Sequence, residues 1–339
     1  MKRKNLLILF LNVLVFSVYA QLQIENADND WFVFEPTNTL DEGVIGMSDW
    51  LEKPAGKHGF LTIGVNGFQF EDGTPIQFWG TNHSGTQCGP VMSEAENRAS
   101  WFAKMGVNGI RFHKYTYPWA FGSDESSSKI TNEGWKNMDY YMHQLKETGI
   151  YYGWSPIYGH RIVEADSSQI LAYEQIRDSL DNNIIYLVNF APDLQQILID
   201  LMVHMLEHKN PHSGLKYAED PALAFVELQN EDNIFWIHPD RLNKAPFYKE
   251  MFCRQFSGWL KEKYLTHENL VEAWGDEGMN MFSEHHNKQE HLDKENIYPI
   301  AWFPNFSPDA IKTSKSPQRL YDNAEFLYET QNKYYQKYT

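Results

Sequence analysis

The segment Ala222 to Asn233 reads A-L-A-F-V-E-L-Q-N-E-D-N: an apolar run that stops at Asn230, Glu231 and Asp232. A carboxylic acid at the end of a buried segment has its charged form disfavoured, so it can hold and release a proton near neutral pH. Other short apolar runs in the chain end in the same manner. One ends at Asn82 and His83, one at Arg111 and His113, and one leads into Tyr158 and His160. Together these tips offer one acid, one cation, amides and imidazoles. Trp154, Tyr158, Tyr115, Trp119 and Trp236 add flat apolar faces, either as stacking platforms or as ordinary packing. Such a set suits a polar pocket for a ring-shaped substrate. Cleavage of a glycosidic bond needs a proton for a poor leaving group and a second carboxylate on the other face of the sugar. Glu231 is the candidate acid. A loop carboxylate making a local cap is the plainer alternative for Glu231, and an ion pair with Glu227 is the plainer alternative for Arg111.

Positioning these groups requires a parallel sheet. The run at 222–228 follows Asp220-Pro221, is short, and contains Phe225 and Val226, which suits a strand. Val107 to Phe112 and Ile150 to Pro156 read as further strands. Ser93 to Met105 reads as a helix opened by the capping-box pair Ser93 and Glu96 and closed by Gly106. Trp135 to Thr148 carries apolar residues at 135, 138, 141, 142 and 145, a helical period, and Ala191 to His208 is an amphipathic helix. Alternating strands and helices predict an α/β fold with a sheet buried on both faces. Before them, Phe60 to Trp79 reads as three short strands turned at Asn66-Gly67 and Asp72-Gly73. Beyond Asn233 the rhythm breaks. Pro246 to Tyr264 and Gln318 to Tyr338 read as helices, and no fifth barrel strand is evident.

The motifs F-W-G-T-N at 78–82, G-I-R-F-H at 109–113 and V-E-L-Q-N-E at 226–231 resemble those of the clan A (β/α)8 glycoside hydrolases, most closely glycoside hydrolase family 5. The resemblance covers about residues 60–235. It implies a TIM barrel of which about the first half is present, preceded by a small β-hairpin at 60–73 that closes the barrel bottom. It implies Glu231 as general acid/base and Asn230 as a partner of the sugar 2-hydroxyl. Arg111 is implied to support the nucleophile region and Glu227 to be structural. His113, Asn82, His160, Tyr158 and Trp236 are the remaining substrate-binding candidates. The family often has Pro after the acid/base, where this chain has Asp232. The implied nucleophile, a second Glu ending the seventh strand, has no counterpart before Thr339 and is expected in chain beyond it.

The chain has 339 residues and a formal net charge of −16. That charge disfavours nucleic-acid partners and anionic membrane surfaces. Residues 1–20 read as a signal peptide. Lys2-Arg3-Lys4 precede an apolar Leu6 to Phe16, and Val18-Tyr19-Ala20 predicts cleavage before Gln21. The expected organisation is signal peptide 1–20, lead-in segment 21–59 and partial catalytic barrel 60–339, secreted or periplasmic, with no stable membrane insertion after cleavage. Two cysteines, Cys88 and Cys253, imply no disulfide framework. The expected activity is retaining hydrolysis of a β-linked poly- or oligosaccharide, with no cofactor and no metal. Two alternatives stand beside it. One is a non-catalytic carbohydrate-binding barrel. The other is a zinc hydrolase, because His204 and His208 form an H-x-x-E-H pattern on a helix.

Overall fold

A computed structural model describes residues 46–286 and 289–338, all within one compact unit, Asn38–Thr339. The signal-peptide reading and most of the lead-in segment lie outside the described residues.

The hairpin forms as expected. β1 (Leu61–Gly64) pairs antiparallel with β2 (Gly67–Phe70). The third strand expected at 75–79 does not form. Pro75 has no N–H to donate, and only one isolated bridge, Gln69 to Pro75, continues the ladder. The segment is held by the Asn108 side chain, which donates to the Gln77 carbonyl at 2.8 Å and accepts from the Trp79 N–H at 2.7 Å. The strand begins later, as β3 (Gly80–Ser84), and it opens the parallel sheet.

The alternation then runs as read. Helix α1 (Met92–Lys104) leads to β4 (Gly109–His113), and α2 (Asn132–Glu147) leads to β5 (Tyr151–Ser155). After α3 (Tyr173–Leu180), which the hydrophobic pattern did not reveal, come α4 (Pro192–Glu207) and β6 (Leu223–Val226). The sheet order is β3-β4-β5-β6, all parallel. That is the strand arrangement of the first half of a (β/α)8 barrel. The capping box is not used. Ser93 lies inside α1, which starts after Val91 with no side-chain cap. At α2, by contrast, Thr131 caps by accepting from the Gly134 N–H at 3.0 Å.

Register sorts the side chains. Asn82, Arg111, Gly153 and Phe225 align across one face, while His83, Phe112, Trp154 and Val226 align across the other. The second set packs under the helices. The His83 ring stacks on Phe112 at 5.9 Å and on Tyr141 of α2 at 5.7 Å, and Trp154 meets Tyr217 at 4.7 Å. At the strand start, Tyr151 contacts Phe70 of the hairpin at 5.1 Å and Phe78 at 5.9 Å. The hairpin therefore sits at the amino-terminal edge of the sheet, opposite the tips that carry the polar groups.

Past β6 the chain forms β7 (Trp236–Ile237), α5 (Pro239–Lys244), α6 (Pro246–Tyr264), α7 (His267–Trp274), α8 (Asp276–Met279), β8 (Ala301–Trp302), α9 (Pro308–Thr313) and α10 (Pro317–Tyr335). The strands β7 and β8 pair antiparallel with each other and not with the parallel sheet. The region is centred on Arg319, which is fully buried. Arg319 makes a two-point pair with Glu290 at 2.7 and 2.8 Å and donates to the carbonyls of Gly278, Met279 and Tyr298. Trp274 and Phe282 each lie 4.9 Å from its guanidinium. Among the described residues, no helix is long and apolar enough to cross a membrane.

Candidate active site

The carboxyl ends of β4, β5 and β6 bring four polar side chains into one network. Arg111 Nη2 donates to Asn230 Oδ1 at 2.7 Å and to Ser155 Oγ at 2.8 Å, and its Nε donates to Glu227 Oε2 at 3.0 Å. Arg111 is thus both the ion-pair partner of Glu227 and the anchor of Asn230. Its side chain is 25% exposed and that of Glu227 32%, so the pair faces the open side of the sheet. A planar guanidinium with several fixed N–H groups can bridge three acceptors in this way, where an ammonium on a flexible stem cannot hold the same geometry.

The consequence for Asn230 is specific. With Oδ1 committed to Arg111, its amide –NH2 is the free end. That end can donate to a hydroxyl oxygen. The main-chain N–H of Asn230 donates to the Ile157 carbonyl at 3.1 Å, tying the loop after β6 to the loop after β5. Glu231 follows. It is exposed, and its φ of +30° is a backbone setting that non-glycine residues seldom adopt.

His113 stands on the same face. Its Nδ1 lies 2.9 Å from Ser155 Oγ and 3.2 Å from the Ser155 carbonyl, and its ring meets Tyr158 at 5.7 Å. Burial lowers its pKa, with the Arg111 charge adding to the effect, so the imidazole is neutral at neutral pH. Lys114 Nζ lies 3.7 Å over the Tyr158 ring. Asn82 is exposed and aligns with Arg111 in the register.

Two of the sequence-derived candidates stand apart. His160 is 3% exposed, and burial drops its pKa to about 4. It is enclosed by protein and does not join the network. Trp236 lies on β7, 4.6 Å from Phe303 and 6.1 Å from Trp302 of β8. Of the other aromatic candidates, Trp154 and Tyr115 are fully buried and are core.

Sequence reading missed two participants. Ser155, fully buried, links Arg111 to His113. Nothing in its local pattern marked it; only the parallel register sets it beside His113. Asp232 is 2% exposed, and burial, with some help from the Glu231 charge, raises its carboxyl to about 7. The Gly159 N–H, Lys114 and Arg241 pull the other way. Its place after Glu231, where the resembled family often has Pro, was the available signal.

The His204 and His208 pair is otherwise occupied. His204 Nε2 accepts from the Trp135 indole N–H at 3.3 Å, and His208 Nε2 lies 2.8 Å from Asp139 Oδ2. Trp135 also stacks on His208 at 3.7 Å. Metal binding through both Nε2 atoms would have to break these contacts. Among the described residues no group of three His, Cys, Asp or Glu is set to hold a metal ion.

The fold and the cluster define an α/β protein with sequential parallel strands and a polar group at their carboxyl edge. No protein-family profile matches the chain, and no curated protein does. Its structure is similar to that of a mutant form of a glycoside hydrolase family 5 mannosidase from Rhizomucor miehei. The identity is 16%, covering 82% of this chain and 81% of that one, with a TM-score of 0.39. It is also similar to the endo-1,4-β-mannanase from Rhizomucor miehei, at 15% identity over 60% of this chain and 58% of that one, with a TM-score of 0.35. A third likeness is to the endo-β-1,4-mannanase from Thermotoga petrophila, at 13% identity over 56% and 41%, with a TM-score of 0.34. The chain thus spans 58% of the first mannanase and 41% of the second.

Proposed function

We propose that this chain carries the acid/base half of a glycoside hydrolase site that acts on β-linked poly- or oligosaccharides. The observation that supports it best is the Arg111 network. It fixes Asn230 with its –NH2 outward, one residue before an exposed carboxylic acid in the loop that follows a parallel strand. A donor for a sugar hydroxyl beside a proton source is what general-acid cleavage of a glycosidic bond requires. Glu227 is a poor candidate for the second carboxylate, because Arg111 engages it. The nucleophile of a retaining mechanism is therefore assigned to a further carboxylate. The signal-peptide reading of residues 1–20 supports export, and amino-terminal sequencing of the mature protein should begin at Gln21.

Glu231→Gln tests the assignment. With a natural β-glycan, where the leaving group needs a proton, turnover should fall by roughly a hundredfold or more. With an activated aryl glycoside, the first step should be far less affected. Undiminished cleavage of the natural glycan by the variant would sink it. A non-catalytic carbohydrate-binding role is favoured by one observation: among the described residues that directly follow the parallel strands at this edge, Glu231 is the one exposed carboxylate outside an ion pair. Polysaccharide binding by the wild type that Glu231→Gln leaves intact, with no hydrolysis by either protein, would support that role.

A further inference from the structure

Glu231 makes no hydrogen bond to another described residue, yet it sits at a rarely used φ of +30°. Its position must come from its neighbours. On one side, the Asn230 N–H donates to the Ile157 carbonyl at 3.1 Å. On the other, Asp232 Oδ2 accepts the Gly159 N–H. The Asp232 carbonyl also accepts from Asn189 Nδ2 at 2.7 Å and from Gln229 Nε2 at 2.9 Å. The loop after β5 and the loop after β6 are thus stitched together on both sides of Glu231. Gly159 has little room to move. Its φ is +55°, and a Cβ there would lie 2.9 Å from the Tyr117 hydroxyl. Asp232 Oδ1 is shut away from solvent with no hydrogen-bond partner.

We propose that Asp232 is a positioning residue for Glu231, whose carboxyl group clamps the Gly159 amide and so sets where Glu231 stands. Calling Glu231 the acid/base rests on the glycosidase reading; the clamp does not. The clamp is also sensitive to pH. Lys114 and Tyr117 face Asp232 from the loop after β4, Tyr158 from the loop after β5, Tyr186 from the segment before α4, Arg241 from α5, and Tyr334 and Tyr335 from α10, with Glu231 beside it. Burial outweighs the two cations and favours the neutral acid. Opening the clamp lets the ionised group reach water. Opening therefore becomes easier as pH rises toward about 7.

The test uses the whole chain as wild type, Asp232→Asn and Asp232→Ala. It reads amide exchange at Gly159, corrected for the intrinsic rate, and carbodiimide labelling of Glu231, at about pH 5 and about pH 8. Asp232→Ala should speed Gly159 exchange roughly tenfold and change the labelling rate of Glu231. Asp232→Asn keeps an acceptor for the Gly159 N–H and cannot ionise. It should hold the protection and abolish the loss that the wild type shows between the two pH values. Exchange and labelling within twofold of wild type in Asp232→Ala would overturn the proposal. Should that variant fail to fold, an undiminished pH effect in Asp232→Asn would overturn it equally. Hydrolysis is read separately. If the clamp results hold while Glu231→Gln cleaves glycan normally, the glycosidase reading fails and the clamp stands.

Discussion

Arg111 serves three acceptors at once, and its removal shows how much the site depends on one guanidinium. Arg111→Met would leave the Glu227 carboxylate and the Asn230 carbonyl oxygen without their shared donor. The pair is partly exposed, so water can recover some of the loss. The expected cost is about 1–3 kcal/mol, measured by urea unfolding. Arg111→Lys should restore part of the stability, but not the orientation of the Asn230 amide, because an ammonium does not reproduce the three directions. On the proposed glycosidase reading, glycan affinity should therefore stay low in the lysine variant. Recovery of full affinity there would show that charge alone matters.

At the scale of elements, Trp135 joins α2 to the end of α4. Its indole N–H donates to His204, its face stacks on His208, and His208 reaches on to Asp139. Asp139 also accepts from the Tyr217 hydroxyl at 2.8 Å, which brings in the segment before β6. Trp135→Ala should cost about 3–5 kcal/mol, because it opens a cavity and frees both rings. His204→Ala removes one acceptor only and should cost roughly 1 kcal/mol. Thermal unfolding of the two variants checks the order. The zinc alternative predicts stoichiometric metal lost in His204→Ala, whereas packing on Trp135 predicts no change in metal content. H-x-x-E-H spacing places two imidazoles on one helix face. What they touch is decided by the helix that packs there.

At the scale of the molecule, three buried titratable groups set opposing trends with pH. Burial holds His83 and His160 down at about 4, from an ordinary 6.5. An unfolded chain binds protons there that the folded chain refuses, so their contribution is present above 6.5 and is lost as pH falls through 4. The two contribute roughly 3 kcal/mol each at full effect. Asp232 acts in the other sense. Its carboxyl is raised from 3.8 to about 7, so its contribution is present below 3.8 and is lost as pH rises through about 7. The wild type should therefore gain stability only modestly between about pH 4 and about pH 7. Asp232→Asn should steepen that rise by up to roughly 4 kcal/mol, read from urea midpoints across the range. An unchanged slope would mean that Asp232 is ionised in the folded protein throughout.

Much of the scaffold was legible in the chain because hydrophobic periodicity is local. The parallel strands β4, β5 and β6 and the helices α1, α2 and α4 follow from apolar runs and spacing that any window of a dozen residues contains, whereas β3 forms a few residues beyond the run that was read as a strand. The likeness of strand ends also set Asn82, Arg111, His113 and Asn230 on one edge, and the parallel register then aligned Asn82 with Arg111. Other features depended on distant partners. Pro75 broke a strand that turn chemistry alone predicted, and Ser93 sat within a helix that starts after Val91 with no side-chain cap. His160 resembled a rim residue in sequence, but its loop folds inward and encloses it. Ser155 and Asp232 gained their roles from groups 42 to 73 residues away in the chain. The sequence by itself determined that Asn230 and Glu231 follow the apolar run that becomes β6. Only the tertiary structure decided that Arg111 engages the Asn230 carbonyl oxygen and that a buried Asp232 accepts the Gly159 N–H, because both hydrogen bonds join segments that meet only when the sheet has formed.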